Sequence, residues 1–374
     1  MPSAQGAVVV EESAVSEATA ETSTVRTGPG RVNLIGNHTD YNQGLALPMA
    51  IGLGVDVEYT PAEERRIVVT STAFEDEEYP IDLVPDADSV PLLEPPWIRL
   101  IGAMVGLARP DRGGRVRIGA TLPIGAGLSS SAALCVALAE VFGVTGSPVD
   151  VARLCREAEH RSGVPVGLMD PLVCAGGRQG HALLIDFSTL ATRQVPLPAE
   201  TEVVVVDSGH RRALRDSGYA ARVAECEAAA AVIGPLGLAG AADLPALRDP
   251  LLRRRARHVV TECERVRRCA AAFAAGDLDQ AGALMTESHR SLADDFDVST
   301  PGVDALVAHL ESLGGVFGAR MTGAGFGGCV VALGRPGAID LDRLPGRGWR
   351  VEATDGTVAA RSAHHRSVPT GGPV

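Results

Sequence analysis

A two-lobed α/β (α+β) architecture with a cleft between the lobes is what the chain predicts, on three observations. Its 374 residues allow two domains at roughly 150 residues each. Strand-like segments with alternate residues apolar interleave through both halves with segments whose apolar residues recur every three or four positions. Hydrophobic residues make up 45% and charged residues 21%, the balance of a soluble globular protein that buries a large core without staples.

Residues 1–24, rich in Ala, Ser, Glu and Thr and without hydrophobic period, read as a flexible tail. Residues 52–59 alternate Val55, Val57 and Tyr59 with other neighbours and predict a strand. Strands at 66–71 and 115–122 follow. The spacing of Leu134, Cys135, Leu138 and Val141 predicts a buried helix over 129–144. A second helix with a charged face spans 151–162, and a strand at 183–187 completes a first lobe taken as 25–195. The apolar run 203–206 opens a second lobe, 196–361. Long helices at 219–233 and 251–275 lead there to a Gly-rich segment and a strand at 329–333. The final stretch, 362–374, reads as a disordered tail; its His364-His365 pair could touch a metal but makes no site by itself.

Charge narrows the function. Lys and Arg number 34 against 46 Asp and Glu, a net charge of −12, which argues against a general binder of nucleic acid or anionic membrane. A local basic pocket for a phosphorylated ligand stays open. Aromatic residues, 3% of the chain, are too few to suggest base-stacking platforms. The seven cysteines form no C-x-x-C pair and sit mostly among Ala, Val and Leu. That pattern suits buried thiols in a reducing compartment, hence the cytoplasm. No apolar run reaches membrane-spanning length and the start has no secretion-signal pattern.

Three segments concentrate chemistry. Pro123-Ile124-Gly125-Ala126-Gly127-Leu128-Ser129-Ser130-Ser131-Ala132-Ala133 reads as strand, Gly-rich turn and helix start. Small residues let the backbone approach a polyanion, and the first-turn N–H groups point at it. The cap hydroxyls can bind that anion or a Mg²⁺ bridging phosphates. A Ser-rich cap after a tight turn is the plainer reading, and the missing Lys excludes a P-loop. Thr322-Gly323-Ala324-Gly325-Phe326-Gly327-Gly328-Cys329 is either a second close-approach segment or a bulged turn before its strand. Pro29-Gly30-Arg31-Val32-Asn33-Leu34-Ile35-Gly36-Asn37-His38-Thr39-Asp40-Tyr41-Asn42 packs Arg, His, Asp and amides densely enough to recognise a polyhydroxylated ligand, or to form a polar turn between strands.

Taken together these segments, with Ala158-Glu159-His160, Met169-Asp170, Ser217-Gly218-Tyr219 and Glu287-Ser288-His289, make the chain similar to the GHMP small-molecule kinases. Within them it resembles the galactokinases, over roughly 25–360. The resemblance implies the GHMP kinase fold, mixed sheets with flanking helices and an active site in the cleft between lobes. It implies transfer of the ATP γ-phosphoryl group to the anomeric hydroxyl of galactose, by a cytoplasmic monomer with ATP and Mg²⁺ as cofactors. By motif position Asp170 is the base that takes the proton of a weak hydroxyl nucleophile. Arg31 beside it spreads charge off the transferring group. Pro123, Gly125, Ala126, Gly127, Leu128, Ser129, Ser130 and Ser131 hold the phosphates, with Trp97 near the adenine or in the core. Ser130 and Glu159 are the Mg²⁺ ligands, and Asn37, His38, Asp40, Asp170 and Tyr219 contact the sugar. Asp40 can take two hydroxyls at once, which selects their relative orientation.

Three departures stand out. Galactokinases carry a Glu toward the sugar's hydroxymethyl group where this chain has Asn37, shorter, uncharged and able to donate as well as accept. Pro171 replaces the usual Gln after the catalytic Asp, removing an N–H. Glu159 stands one residue closer to Asp170 than usual. Related sugars (N-acetylgalactosamine, galacturonate, a pentose) and a non-catalytic sugar sensor are the alternatives; Arg31, Asp170 and the intact Ser129–Ala132 loop oppose the sensor.

Overall fold

The computed structural model describes residues 22–360 except 75, 86, 87, 124–126, 165 and 210–214. The expected tails, 1–24 and 362–374, lie outside the described residues apart from 22–24. The chain opens with β1 (Thr24–Ile35) and β2 (Leu45–Ala62), then β3 (Arg66–Ser71) and β4 (Tyr79–Asp82). α1 (Pro96–Ala108) leads into β5 (Gly113–Ala120). Next come α2 (Ser130–Val141), α3 (Pro148–Arg161) and α4 (Met169–Gly176), then β6 (His181–Asp186) and β7 (Ala191–Pro196). These strands form a seven-stranded sheet in the order β4-β3-β5-β2-β6-β7, with β1 also paired to β2. All pairs are antiparallel except β3 with β5.

β8 (Glu202–Asp207) starts the second sheet. Helices α5 (Arg215–Ile233), α6 (Pro250–Ala275), α7 (Leu278–Asp294) and α8 (Pro301–Glu311) follow, then β9 (Val316–Thr322), β10 (Cys329–Gly334) and β11 (Gly348–Val351). The four strands run β11-β8-β10-β9, all antiparallel. This sheet is covered on both faces. Val203, Val205, Val331 and Leu333 join the core that also holds Leu47 and Met49 of the first sheet. Val204, Val206, Val330 and Ala332 pack into a second core with α5, α6, α7 and α8. Two-sided burial explains why β8 reads as an unbroken apolar run. All seven cysteines are buried thiols, and among the described residues no helix is long and apolar enough to cross a membrane.

Several elements depart from expectation. β2 begins at Leu45, well before the strand expected at 52–59, because 46–51 is buried at every position and shows no alternation. β1 runs through a segment that also reads as a polar turn. α1 follows a Pro-Pro pair that looks like a breaker; yet Pro95 is its N-cap and Pro96 its first residue, where a missing N–H costs nothing. The helix expected at 129–144 ends at Val141.

A close backbone crossing sets the packing of α7 against β9. A Cβ on Gly282 of α7 would lie 2.3 Å from the Phe317 backbone, and one on Gly318 of β9 would lie 2.1 Å from the Gly282 carbonyl oxygen. Gly282→Ala is therefore expected to lower unfolding stability by about 1–3 kcal/mol through overpacking. A denaturant melt checks this; an unchanged midpoint would mean that α7 and β9 are not in such close contact.

Candidate active site

The site begins where β1 passes beneath the start of α2. A Cβ on Gly28 would sit 1.9 Å from the Ala133 carbonyl oxygen, and one on Gly30 would sit 2.8 Å from that of Leu128. Only glycine allows the strand so near. The Arg31 amide donates to the Leu128 carbonyl at 3.1 Å, which fixes the side chain that follows. Its guanidinium donates from Nε to Asp170 Oδ1 at 2.8 Å, from Nη2 to Oδ2 at 2.7 Å and from Nη1 to the Gly127 carbonyl at 2.7 Å. Arg31 is buried, whereas the Asp170 side chain keeps 31% of its surface open. The fork thus aims a carboxylate outward from a rigid mount. Asp170 lies in the first turn of α4, where Pro171 follows without loss, since N–H groups there have no helical acceptor.

The same carboxylate draws on the loop before α2. Ser129 Oγ donates to Asp170 Oδ2, and the residue stands in the left-handed region at φ 65°, a strained conformation for serine. Because that hydroxyl turns to Asp170, α2 has no side-chain cap. By contrast α3, α6, α7 and α8 are each capped by a Ser, Asp or Thr. The first-turn N–H groups of α2 are therefore left for an anion. Within the predicted loop, Gly125 and Ala126 lie outside the described residues. Pro123 and Gly127 flank them half-buried, Leu128 is buried and Ser130 is half-buried.

Glu159 of α3 is buried, and one of its oxygens accepts from Ser131 Oγ at 2.7 Å. Ser130 was expected beside Glu159 only as a second Mg²⁺ ligand, whereas the hydrogen bond to Glu159 comes from Ser131. The difference is geometric: Ser131 is the serine whose hydroxyl meets α3. The other oxygen, Oε2, is buried without a hydrogen-bond partner. Burial pushes the Glu159 carboxyl up to about 7, the Ser131 hydrogen bond working against it and the Asp170 charge with it. Asp40, half-buried in a short 3-10 turn (Asp40–Asn42), is pushed to about 6 by burial and then by Asp170. Three carboxylates thus crowd one guanidinium. Hydroxyl donors or a divalent cation would relieve that excess of negative charge.

Beyond them lies an aromatic wall. His38 Nδ1 meets Tyr41 Oη at 3.1 Å, and its ring centroid is 5.8 Å from that of Tyr219 and 4.7 Å from that of Phe296. Burial lowers the imidazole to about 3, so it is neutral. Asn37 is buried and committed inward. Its Oδ1 accepts from Asn33 Nδ2 at 2.7 Å and its Nδ2 donates to the Gly323 carbonyl at 2.6 Å. The second Gly-rich segment therefore reaches the site through Gly323 (φ 85°). Trp97 stands apart from these contacts, its ring stacked on Phe74 at 4.9 Å and met edge-on by Tyr79, with Nε1 buried and without a hydrogen-bond partner. The sequence predicts α6 as a helix and Ser131 in the phosphate loop, but no signal in it pairs Ser131 with Glu159 or sets α6 behind the 36–42 loop.

The chain is similar to known proteins in both sequence and fold. Residues 16–61 match the galactokinase galactose-binding signature, 98–178 the GHMP kinases N terminal domain and 269–343 the GHMP kinases C terminal. The chain is 40% identical to a galactokinase of Homo sapiens over 321 residues, covering 82% of each. It is 42% identical over 322 residues to one of Canis lupus familiaris, with the same coverage. The crystal structure of Lactococcus lactis galactokinase complexed with galactose superposes with a TM-score of 0.81 at 29% identity, covering 90% of this chain and 95% of that one. L. major mevalonate kinase in complex with R-mevalonate, 18% identical with a TM-score of 0.60 over 90% of this chain and 98% of that one, shares the fold.

The elevated Glu159 carboxyl has a consequence for stability. Between its unfolded value near 4.5 and its folded value near 7, the native chain holds a proton that the unfolded chain has released. Its contribution is fully present below the lower value and is lost as pH rises through the upper one. Glu159→Gln keeps an oxygen for Ser131 and cannot titrate. Denaturant melts from about pH 5 to 8 should therefore show stability falling less steeply in the variant than in the wild type. Parallel profiles would mean that Glu159 titrates normally.

Proposed function

Because the chain belongs to the galactokinases of the GHMP kinase family, we propose that it transfers the γ-phosphoryl group of ATP to the anomeric hydroxyl of galactose, giving galactose 1-phosphate and ADP. The observation that carries this is the outward carboxylate of Asp170, clamped by Arg31 and Ser129 beside the uncapped start of α2. The N–H groups of that first turn bind the phosphate chain. Asp170 accepts the hydroxyl proton as the sugar oxygen bonds to γ-phosphorus and the bond from that phosphorus to the β-phosphate bridging oxygen breaks. Arg31 orients Asp170 and offsets charge on the group in flight.

Mg²⁺, when bound, neutralises the phosphate oxygens. The orphaned Oε2 of buried Glu159, whose Oε1 accepts from the Ser131 hydroxyl, fits such a hard cation. Among the described residues no group of three or more His, Cys, Asp or Glu forms a metal cluster. That suits an ion held by few protein ligands, with phosphates and water completing its shell. On the sugar side, Asp40 bridges two hydroxyls, Asp170 touches the reacting one, and His38 and Tyr219 supply neutral polar edges to a largely apolar wall.

Asn37 favours keeping a second reading, a related sugar. With Oδ1 held by Asn33 and Nδ2 by Gly323, turning this amide toward the hydroxymethyl group would break those internal bonds. Discrimination at that substituent is correspondingly weak, and N-acetylgalactosamine, galacturonate or a pentose is the alternative acceptor. A coupled ADP-release assay over a monosaccharide panel should show galactose turned over fastest, and only with Mg²⁺. A faster pentose or hexosamine would replace galactose in this assignment. In the same assay Asp170→Asn should lose about 10²-fold or more in turnover while nucleotide affinity is kept. Full activity in that variant would remove Asp170 as base. Ser131→Ala should raise the Mg²⁺ concentration at half-maximal rate; an unchanged requirement would take Ser131 and Glu159 away from the metal.

A further inference from the structure

The loop that follows β1 is held from behind by α6. Two of its side chains, one helical turn apart, grip neighbouring backbone groups. Glu262 Oε1 accepts from the Gly36 amide at 2.9 Å, and His258 Nε2 contacts the Asn37 carbonyl at 3.1 Å. A carbonyl only accepts, so Nε2 carries the ring proton. Nδ1 is then the bare nitrogen, and it accepts from Ser291 Oγ of α7 at 2.9 Å. Both α6 side chains are fully buried. Burial draws His258 down to about 4, so the ring is neutral. Burial works against ionised Glu262 too. There the charges of Arg265 and Arg320 and the Ser288 hydroxyl prevail, and the carboxyl is held at about 2.

The grip extends along the chain. Arg320 Nη1 of β9 donates to the Leu34 carbonyl at 3.1 Å and to that of Asn33 at 3.4 Å. Asn42 Nδ2 donates to the His38 carbonyl at 2.7 Å. Between these holds His38 adopts φ 62°, a left-handed conformation that a residue with a Cβ keeps only where its surroundings over-determine it. That conformation sends the His38 ring into the wall with Tyr41, Tyr219 and Phe296 and starts the turn that carries Asp40.

We propose that His258 and Glu262 are positioning residues for the acceptor sugar: they set the backbone at 36–38, and through it aim His38 and Asp40. This rests on the sugar site assigned above. Neither residue touches Arg31, Asp170 or the start of α2, so the effect falls on the sugar side alone.

His258→Leu removes the donor at similar volume, and His258→Gln restores an N–H. The leucine variant should raise the KM for galactose about tenfold, the effect of stranding one buried acceptor. The KM for ATP should hold, and the glutamine variant should recover most of the loss. Hydrogen–deuterium exchange without sugar should show 36–43 exchanging about tenfold faster in the leucine variant, with β8 and β10 unchanged. A folded leucine variant with wild-type galactose KM and wild-type exchange would overturn the proposal, as would equal rises in both KM values. If the leucine variant does not fold, Ser291→Ala, which frees the ring tautomer, should raise the galactose KM and loosen 36–43 to a smaller degree; no change in either overturns the proposal. If wild-type protein fails to phosphorylate galactose while 36–43 loosens with leucine and tightens with glutamine, the sugar assignment falls and the α6 grip stands.

Discussion

One guanidinium holds the site together. Arg31 reaches from the first strand to the loop before α2 and to the start of α4, segments far apart in the chain, and satisfies the Gly127 carbonyl in one and both Asp170 oxygens in the other. Everything near it follows from that fork. The strand must carry Gly28 and Gly30 to come close enough, and the Ser129 backbone must turn left-handed for its hydroxyl to join on the same carboxylate. The helix behind Ser129 goes uncapped as a result. Local cost is thereby converted into a site: a helix start with open N–H groups lies beside an oriented carboxylate.

Charge in the pocket is deliberately out of balance. Asp40, Glu159 and Asp170 share one cation, and the two without it are pushed toward neutrality by burial and by Asp170. Hydroxyl donors or a divalent cation beside these carboxylates would offset that crowding of like charge. The opposite solution operates behind the 36–42 loop. Buried Glu262 is met by Arg265, Arg320, Ser288 and the Gly36 amide, so that its charge is spent on holding backbone in place. One carboxylate group is poised for ligands and the other is locked for structure.

Legibility in the sequence followed the kind of signal. β3, α5 and α6 were readable because alternation or a three-to-four-residue period marks them directly, and β10 because it is a short apolar run. α7 carries the helical period in its buried Ala281, Leu284, Met285 and Leu292, yet the expected elements omit it. β1 was hidden by Gly28-Pro29-Gly30, residues that serve a crossing with α2 rather than the strand itself. Arg31, Asp170, Ser129 and Glu159 were legible as candidate site residues only because motif order tied them together. No local pattern says that Ser131, not Ser130, faces Glu159.

From residue order alone came the chemistry on hand: a Gly-Ser turn before a helix, an Arg, a set of carboxylates and a polar loop rich in hydrogen-bonding groups. Such features are written in runs of neighbours, where conformational preference and spacing act over a few residues. Which groups meet was decided only in three dimensions. Trp97 stacks on Phe74 beside the first sheet, while Asn37 turns inward and α6 reaches across to grip Gly36 and Asn37, contacts that form only when both sheets pack over one core. Burial and the field of distant charges then set each group's proton affinity, and neither exists until the chain has folded.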